Sequence, residues 1–165
     1  TKRELMKEIK KESILYIYKS LEALPRNVLN LMNDAVEARK KAYAPYSQFQ
    51  VGAAILLDNH IVVTGNNQEN ASYPSGLCAE RTAIYSAGSQ YPQAKILKMA
   101  ISATSEKKQT TKPIPPCGAC RQAIAEYEIK QHAPIEIFFM GEIGAIAQSK
   151  SLSNLLPFTF DKSEL

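Results

Sequence analysis

All three cysteines of this chain lie in two short motifs, each at the start of a predicted helix. Cys78 is followed two residues later by Glu80, and Cys117 and Cys120 form a Cys-x-x-Cys pair. Three thiolates can fill three corners of a tetrahedral zinc and leave the fourth for water, which is the layout of a catalytic site. A carboxylate two residues after the first cysteine would lie beside that water. We therefore predict Cys78, Cys117 and Cys120 as zinc ligands and Glu80 as the catalytic proton carrier.

The spacing of these residues also indicates a reaction. Cys-x-Glu followed by Pro-Cys-x-x-Cys is typical of zinc deaminases that act on C4 of cytosine or C6 of adenine. Such a reaction needs hydroxide at a ring carbon, a proton on the neighbouring ring nitrogen and a proton on the departing ammonia. One carboxylate can relay all of these protons, and Glu80 is the one nearest a ligand in the sequence. Hydrolytic deamination is therefore the predicted chemistry.

The residues around the cysteines favour thiolates. Cys78 and Cys117 are predicted at helix N-termini, where unpaired N–H groups and the helix dipole stabilise the ionised sulfur. Three thiolates would leave a zinc centre with net negative charge, which weakens its power to acidify water. Arg81 and Arg121 are candidates for offsetting that charge by hydrogen bonds to the sulfurs.

The same residues also have simpler explanations. Cys117 and Cys120 alone could be a redox dithiol, but a third cysteine with its own glutamate disfavours this. A structural zinc site would need a fourth ligand, and His60 in a hairpin turn and His132 in a polar loop are more typical of solvated surface histidines. Glu80 could also be an ordinary acid at a helix start, where the dipole favours it.

Size and composition indicate one domain with an ordinary core, since the chain has 165 residues. The longest apolar runs, at 51–57 and 135–140, are far too short to cross a bilayer. The first residues mix acids with bases and do not resemble a secretory signal. Three cysteines suit a metal and a reducing compartment better than a disulfide framework. We expect a cytoplasmic protein without a membrane partner.

The charge distribution argues against nucleic acid as a partner. Residues 1–41 contain ten Lys and Arg against six Asp and Glu, which accounts for the whole net charge of +4. The rest of the chain, including the cysteine motifs, is therefore balanced. Nucleic-acid binders usually place a basic stripe with interleaved aromatics beside the working site. A solvated face at the start of the chain is the simpler explanation.

The hydrophobic pattern predicts an α/β fold. Apolar residues at near-helical spacing predict a helix from Glu4 to about Ala23, which ends at Leu24-Pro25. A second helix is predicted from Asn27 to about Tyr43, with Arg39 facing water. The later predicted elements are strands at 49–57, 61–67, 96–103, 135–140 and 145–149, and helices at 78–87, 118–127 and 151–156.

A hairpin followed by alternating helices and strands implies a mixed sheet with helices on its faces. We therefore predict a single domain of three-layer α/β/α architecture. Residues 1–25 would be an N-terminal helical extension, and residues 26–165 the catalytic domain.

Further motifs occur in order along the chain and carry a wider resemblance. They are Tyr46-Ser-x-Phe49-x-Val51-Gly-Ala-Ala, Gly65 to Pro74, Cys78 to Ala83, Pro116 to Gln122, and Leu155-Leu-Pro-x-x-Phe160. From about Asn27 to Leu165 the sequence resembles the small homotetrameric cytidine deaminases with three cysteine ligands. The resemblance implies one zinc per subunit and conversion of cytidine and 2′-deoxycytidine to uridine nucleosides and ammonia, in pyrimidine salvage.

The same resemblance implies roles in nucleoside binding. Asn67 and Glu69 would hydrogen-bond the ribose 3′-hydroxyl, and a site built to hold a hydroxyl strongly rejects ligands without one. Phe49 would stack on the pyrimidine, and the backbone N–H of Ala79 would donate to the ring carbonyl. Arg81 would reduce the charge on a zinc-bound sulfur.

A second set of implied roles crosses a subunit boundary. Phe160, with Ala71 and Tyr73, would complete the pocket of a neighbouring subunit in a homotetramer. This would account for an aromatic tail that a monomer would leave exposed. The alternative is that Phe160 simply covers its own core.

Three other functions remain open at the level of sequence. A deaminase of a nucleoside antibiotic such as blasticidin S would look similar, although Asn67, Glu69 and Phe160 favour a plain nucleoside. Polynucleotide deaminases share the zinc signature but usually carry His as the first ligand, where this chain has Cys78. A zinc-stabilised binding module without activity would not need Glu80. The first 25 or so residues exceed the usual family length, and their role is open.

Overall fold

The computed structural model describes residues 5–165, which form one six-stranded sheet with three α-helices. The strands are Tyr16–Tyr18 (β1), Phe49–Leu57 (β2), Val62–Asn66 (β3), Ile96–Ser105 (β4), Glu136–Met140 (β5) and Ile146–Ser149 (β6). The helices are Arg26–Arg39 (α1), Ala79–Gln90 (α2) and Gly118–Gln131 (α3). The strand order is β1-β6-β5-β4-β2-β3. Strands β4 and β5 are parallel and the other neighbours are antiparallel, so the sheet is mixed.

Helices cover both faces of this sheet. The apolar side of α1, including Val28, Met32 and Ala35, packs on one face against residues such as Ala54 and Phe138. Helices α2 and α3 pack on the opposite face, in a second buried cluster. These residues of α1 recur at the spacing of one helical face, and small residues on the strands let the helix approach. The predicted three-layer α/β/α fold is confirmed.

The helix predicted at the N-terminus is wrong for the residues described, and its first residue, Glu4, lies outside them. Residues 6–15 have no regular structure, Tyr16–Tyr18 form the edge strand β1, and Leu21–Ala23 form a single 3-10 turn. Helical spacing stabilises a helix only when its apolar face is buried. Here Leu5, Ile9 and Leu15 stay exposed. The aromatic and β-branched residues at 16–18 suit a strand, and the edge of β6 accepts them.

Two smaller expectations also changed. Arg39, predicted to face water, is buried and donates to the Ser102 hydroxyl across 2.6 Å. The helix predicted at 151–156 is only a 3-10 turn, Leu152–Asn154. By contrast, the strand predicted at 145–149 is present as β6. Among residues 5–165, the structure shows no helix with the length and apolarity needed to cross a membrane.

Close contact between α2 and the sheet depends on Gly65 in β3. A Cβ at this position would lie 2.6 Å from the backbone nitrogen of Ala83 and 2.8 Å from the carbonyl oxygen of Ala79. Both atoms belong to the backbone of α2, so they can give way only if the helix moves. Because Cys78 and Glu80 are at the start of α2, Gly65 sets how close these residues lie to the sheet.

We expect Gly65→Ala to lower the free energy of unfolding by about 1–3 kcal/mol, the usual effect of overpacking. Chemical denaturation of the zinc-loaded protein would measure it. Gly118→Ala is the matched control, since a Cβ there meets nothing within 4 Å. A Gly65→Ala protein as stable as the wild type would show that α2 does not need this close approach.

Candidate active site

The N-termini of α2 and α3 bring the three cysteines together. Cys78 is the N-cap of α2, Cys117 is the N-cap of α3, and Cys120 lies in the first turn of α3. The three sulfurs lie within 4.8 Å of one another. The Sγ atoms of Cys78 and Cys117 are 3.9 Å apart, and those of Cys117 and Cys120 are 3.5 Å apart. All three are free thiols.

This spacing fits a single zinc ion. Zn–S bonds of about 2.3 Å in a tetrahedron place two sulfurs roughly 3.8 Å apart, close to the separations found here. The donor set is also suitable, because thiolates select zinc among the common hydrolytic metals. Cys78, Cys117 and Cys120 would therefore hold the metal. When bound, zinc supplies the Lewis acidity that lowers the pKa of a coordinated water.

Hydrogen bonds around Cys78 favour its ionised form. The Cys120 thiol and the Arg81 guanidinium, whose Nη2 lies 3.1 Å from Sγ, lower the pKa of Cys78 to about 5. Its hydrogen bond to Cys78, together with burial, raises the pKa of the Cys120 thiol. In the metal-free protein Cys78 thus ionises before Cys120. Among the residues described, the buried Nε of Arg81 finds no hydrogen-bond partner, so the guanidinium has one unused donor.

Glu80 lies in the first turn of α2 and is only 6% exposed. Burial raises the pKa of this carboxyl, and the charge of Cys78 acts in the same direction. A carboxyl that is easier to protonate at neutral pH is better matched to a group that must accept and release protons. The structure thus places beside the cysteines the acid that was predicted as the proton carrier.

The structure does not support the predicted role of Arg121 as a sulfur donor. Its Nε donates to the carbonyl of Pro116 and its Nη1 to that of Leu155, each across 2.8 Å. Arg121 follows Cys120 in the sequence, but the helix turns its guanidinium toward the C-terminal segment instead. Among the residues described, the arginine that donates a hydrogen bond to a cysteine sulfur is Arg81.

Neither histidine belongs to the described cluster of possible metal ligands, which consists of the three cysteines. His60 and His132 are exposed, and both adopt the left-handed conformation, with φ of 68° and 51°. His60 lies in the β2–β3 turn, and His132 ends α3. These positions agree with the interpretation of both as surface residues.

An open cavity of about 530 Å³ adjoins Cys78 and Arg81. Asn67, Glu69 and Tyr73, three of the residues predicted to bind a nucleoside, line it. A volume of this size is ample for a small ligand such as a nucleoside. A separate cavity of about 430 Å³ lies at the other end of α2 and contains none of the cysteines among its lining residues.

Glu69 is held in place by the loop before β2. Its Oε1 accepts hydrogen bonds from the backbone N–H groups of Tyr46, at 3.0 Å, and Ser47, at 3.1 Å, and its Oε2 accepts from the Ser47 hydroxyl. Although burial opposes it, these bonds hold the pKa of Glu69 below its ordinary value. Glu69 therefore offers the cavity a fixed, ionised acceptor.

Asn67 is anchored to the start of β2. Its Oδ1 accepts from the backbone N–H of Val51 and its Nδ2 donates to the carbonyl of Phe49, both across 2.8 Å. An amide has two N–H donors and a carbonyl with two lone pairs, so half of this capacity remains for a ligand. Asn67 thus joins the cavity wall to the strand that carries Phe49.

The other predicted binding residues lie outside the cavity lining or are exposed. Phe49 is half-buried at the first position of β2, and Ala71 is exposed. Phe160 is 61% exposed, and its carbonyl accepts a hydrogen bond from Gln122. Ala79 is buried at the first position of α2, where the backbone N–H has no partner within the helix.

The sequence did not single out several residues that line the cavity, including Tyr46, Ser47, Gln68, Asn70 and Leu77. The ring centroids of Tyr46 and Tyr73 are 6.1 Å apart in an edge-to-face arrangement. Tyr46 and Ser47 begin the first of the motifs that carry the family resemblance, so the sequence did contain a signal for them. The predicted strand begins only at Phe49, and the structure places Tyr46 and Ser47 in the loop before it, where they support Glu69.

Comparison with protein families gives a match over residues 25–134 to the model described as the cytidine and deoxycytidylate deaminase zinc-binding region. The chain belongs to this deaminase family. The match contains every cysteine, Glu80, Asn67 and Glu69.

Similar proteins in the deaminase family extend over most of this chain. It is 40% identical to a cytidine deaminase of Halalkalibacterium halodurans over 136 residues, which are 82% of this chain and 95% of the relative. It is 35% identical to one of Sporosarcina psychrophila, covering 84% and 95%. A crystal structure of cytidine deaminase from Burkholderia pseudomallei superposes with a TM-score of 0.70 at 37% identity, covering 83% of this chain and 100% of that one.

Proposed function

We propose that this protein hydrolyses the exocyclic amine of cytidine and 2′-deoxycytidine, giving the uridine nucleosides and ammonia. The observation that carries the proposal is the placement of buried Glu80 beside three clustered thiols, next to a cavity lined by Asn67 and Glu69. Membership of the deaminase family and relatives that are cytidine deaminases support it. We also propose one zinc per subunit, held by Cys78, Cys117 and Cys120.

In this mechanism Glu80 moves every proton. It takes one from the attacking water and passes it to the ring nitrogen beside C4. It then takes the second proton, from the hydroxyl now on C4, and delivers it to the amino group, whose bond to C4 breaks as the C4 carbonyl forms. Its raised pKa suits these transfers, because the carboxyl must hold the proton between steps. Arg81 reduces the negative charge on the Cys78 sulfur through its hydrogen bond.

The remaining residues would bind and orient the nucleoside. Glu69 accepts a hydrogen bond from a sugar hydroxyl, and the free donor of Asn67 gives one to the same oxygen. The backbone N–H of Ala79 donates to the ring carbonyl, and Phe49 stacks on the pyrimidine. Cytosine lacks the sugar hydroxyl that would use the remaining acceptor of Glu69 and the remaining donor of Asn67, so it should be a poor substrate.

We propose that the protein is a homotetramer in which neighbouring subunits complete each pocket. Tyr73 is 76% exposed and Phe160 61% exposed in the single chain, and Ala71 is exposed as well. Tyr73 also lines the ligand cavity, and large exposed aromatic side chains are typical of surfaces that a partner covers. The three free thiols suit a reducing compartment, and we propose the cytoplasm as the site of action.

The test is a deaminase assay of the purified zinc-loaded protein, with uridine and ammonia measured as products. We expect turnover of cytidine and 2′-deoxycytidine, and little of cytosine. Activity on blasticidin S alone would assign the antibiotic as substrate, and activity on single-stranded DNA alone would assign a polynucleotide. Silence on all of them, with zinc bound, would rule out the proposed deaminase.

Glu69→Gln tests the nucleoside pocket in the same assay. We expect kcat/KM for cytidine to fall about 10- to 100-fold, the loss expected for one hydrogen bond to a charged group. The reaction with cytosine should hardly change, since cytosine lacks the sugar. Glu126→Gln on the exposed surface of α3 is the matched control. Equal losses on cytidine and cytosine would contradict a role in binding the sugar.

A further inference from the structure

The segment before α1 runs against the C-terminal segment of the chain. The backbone N–H of Ile14 donates to Oδ1 of Asn154 across 3.1 Å. The ammonium of Lys11 donates to the carbonyl of Pro157 across 2.5 Å and lies 4.9 Å from the ring centroid of Phe158. Three separate contacts thus join residues 11–14 to residues 154–158.

The same N-terminal segment is anchored to the sheet. Strand β1 pairs with β6 over three residues, and the Tyr18 hydroxyl donates to Oε1 of Gln148 across 3.0 Å. The ammonium of Lys150 lies 4.6 Å from the centroid of the Tyr16 ring. Residues 11–18, which we call the brace, therefore have a fixed attachment from which to hold another segment.

The N-terminal part of α3 binds the C-terminal segment from a second direction. Arg121 donates to the carbonyl of Leu155 across 2.8 Å, and Gln122 donates to the carbonyl of Phe160 across 2.9 Å. Beyond the 3-10 turn Leu152–Asn154, residues 155–161 contain no strand or helix. A segment of this kind depends on such outside contacts for its position, because it has few backbone hydrogen bonds of its own.

We propose that the brace positions the C-terminal segment 154–160, and with it the aromatic side chain of Phe160, for the substrate pocket. This inference rests on the proposed function and homotetramer, in which Phe160 completes the substrate pocket of a neighbouring subunit. The family model begins to match at residue 25, so the brace lies outside the matched region. Lys11 and Asn154 are positioning residues, since they hold the segment and touch no reacting atom. The proposal also assigns a role to residues 11–18, which were predicted to form part of a helix and do not.

The experiment combines Lys11→Met with Asn154→Ala. Together they remove both hydrogen bonds and the cation–π contact, and the methionine keeps most of the packing of the lysine stem. Hydrogen exchange would be followed at the amides of Leu155 and Leu156, which both bond to the carbonyl of Leu152. We expect exchange there to be about five- to tenfold faster, as for the loss of one or two net hydrogen bonds. KM for cytidine should rise about three- to tenfold, and kcat should change less than twofold, because the brace contacts neither Glu80 nor the cysteines.

Lys10→Met is the matched control, because its ammonium pairs with Glu8 at the surface, where the side chains are 83% and 70% exposed. It should leave both exchange and KM unchanged. Asn154→Asp, which keeps an acceptor for Ile14, should restore wild-type exchange when it replaces Asn154→Ala. Unchanged exchange in the double variant would overturn the proposal. So would faster exchange with an unchanged KM, provided that the wild type deaminates cytidine. A wild type without activity would instead refute the proposed function, and exchange would still report whether the brace holds the segment.

Discussion

Replacing Glu80 with Gln is expected to lower kcat for cytidine by about 10⁴-fold while zinc stays bound. A single general acid–base group usually contributes about 10²–10⁴ in rate. The upper end is expected here because one carboxylate serves the water, the ring nitrogen and the departing amine in turn. Gln has the same shape but can neither accept a proton nor return one. The assay is single-substrate kinetics at saturating cytidine, alongside metal analysis of the same sample.

The same substitution should leave the stability of the folded protein unchanged or raise it slightly. Glu80 is almost fully buried, and burial penalises its charged form. Gln removes that penalty, so the melting temperature should be equal to or slightly above that of the wild type. The loss of activity could then not be attributed to unfolding.

Glu128→Gln provides the contrasting control. Glu128 accepts hydrogen bonds at Oε1 from the N–H groups of Ile135 and Leu152 and from the Ser151 hydroxyl. The same change of residue type should therefore lower the melting temperature and leave kcat close to the wild-type value. If Glu80→Gln kept more than a tenth of the activity, Glu80 would not be the proton carrier.

The zinc site could be predicted from the sequence because its information is local. Cys78 and Glu80 are two residues apart, Cys117 and Cys120 are three apart, and each pair begins a helix whose dipole suits a thiolate. Only the meeting of the two helices is a long-range property, and the mixed sheet on which both helices pack was predicted from alternating strands and helices. The ligands of the zinc site could therefore be predicted from the sequence alone.

The remaining features depend on distant partners that spacing cannot reveal. Residues 5–23 have a helical pattern, but whether a helix forms depends on a surface to cover its apolar face, and the edge of β6 was available instead. The helical pattern predicted that Arg39 faces water, whereas the fold buries it beside Ser102. Arg121 was assigned to a sulfur by its sequence position, yet its donors reach Leu155 across the fold. The support of Glu69 by Ser47 likewise joins two loops.

Loss of one cysteine should remove zinc and, with it, both activity and part of the stability. We expect Cys120→Ser to purify without stoichiometric zinc and to have no measurable deaminase activity. Cys120 is fully buried in the first turn of α3, so water cannot easily take the place of its sulfur, and a serine hydroxyl remains protonated at neutral pH. The metal would keep two thiolates, too few for a stable site of this type.

The stability that zinc supplies gives a second, independent readout. A ligand that binds only the folded state stabilises it by about 4 kcal/mol when present at 1,000 times its Kd. A strong chelator should therefore lower the melting temperature of the wild type, and added zinc should restore it, whereas the melting temperature of Cys120→Ser should respond to neither. Comparing the two proteins separates the zinc contribution from the packing cost of the substitution, because that cost is present in the variant with or without chelator. A Cys120→Ser protein that retained one zinc per chain would exclude this sulfur as a ligand, and the 3.5 Å approach of Cys117 and Cys120 would then require another explanation.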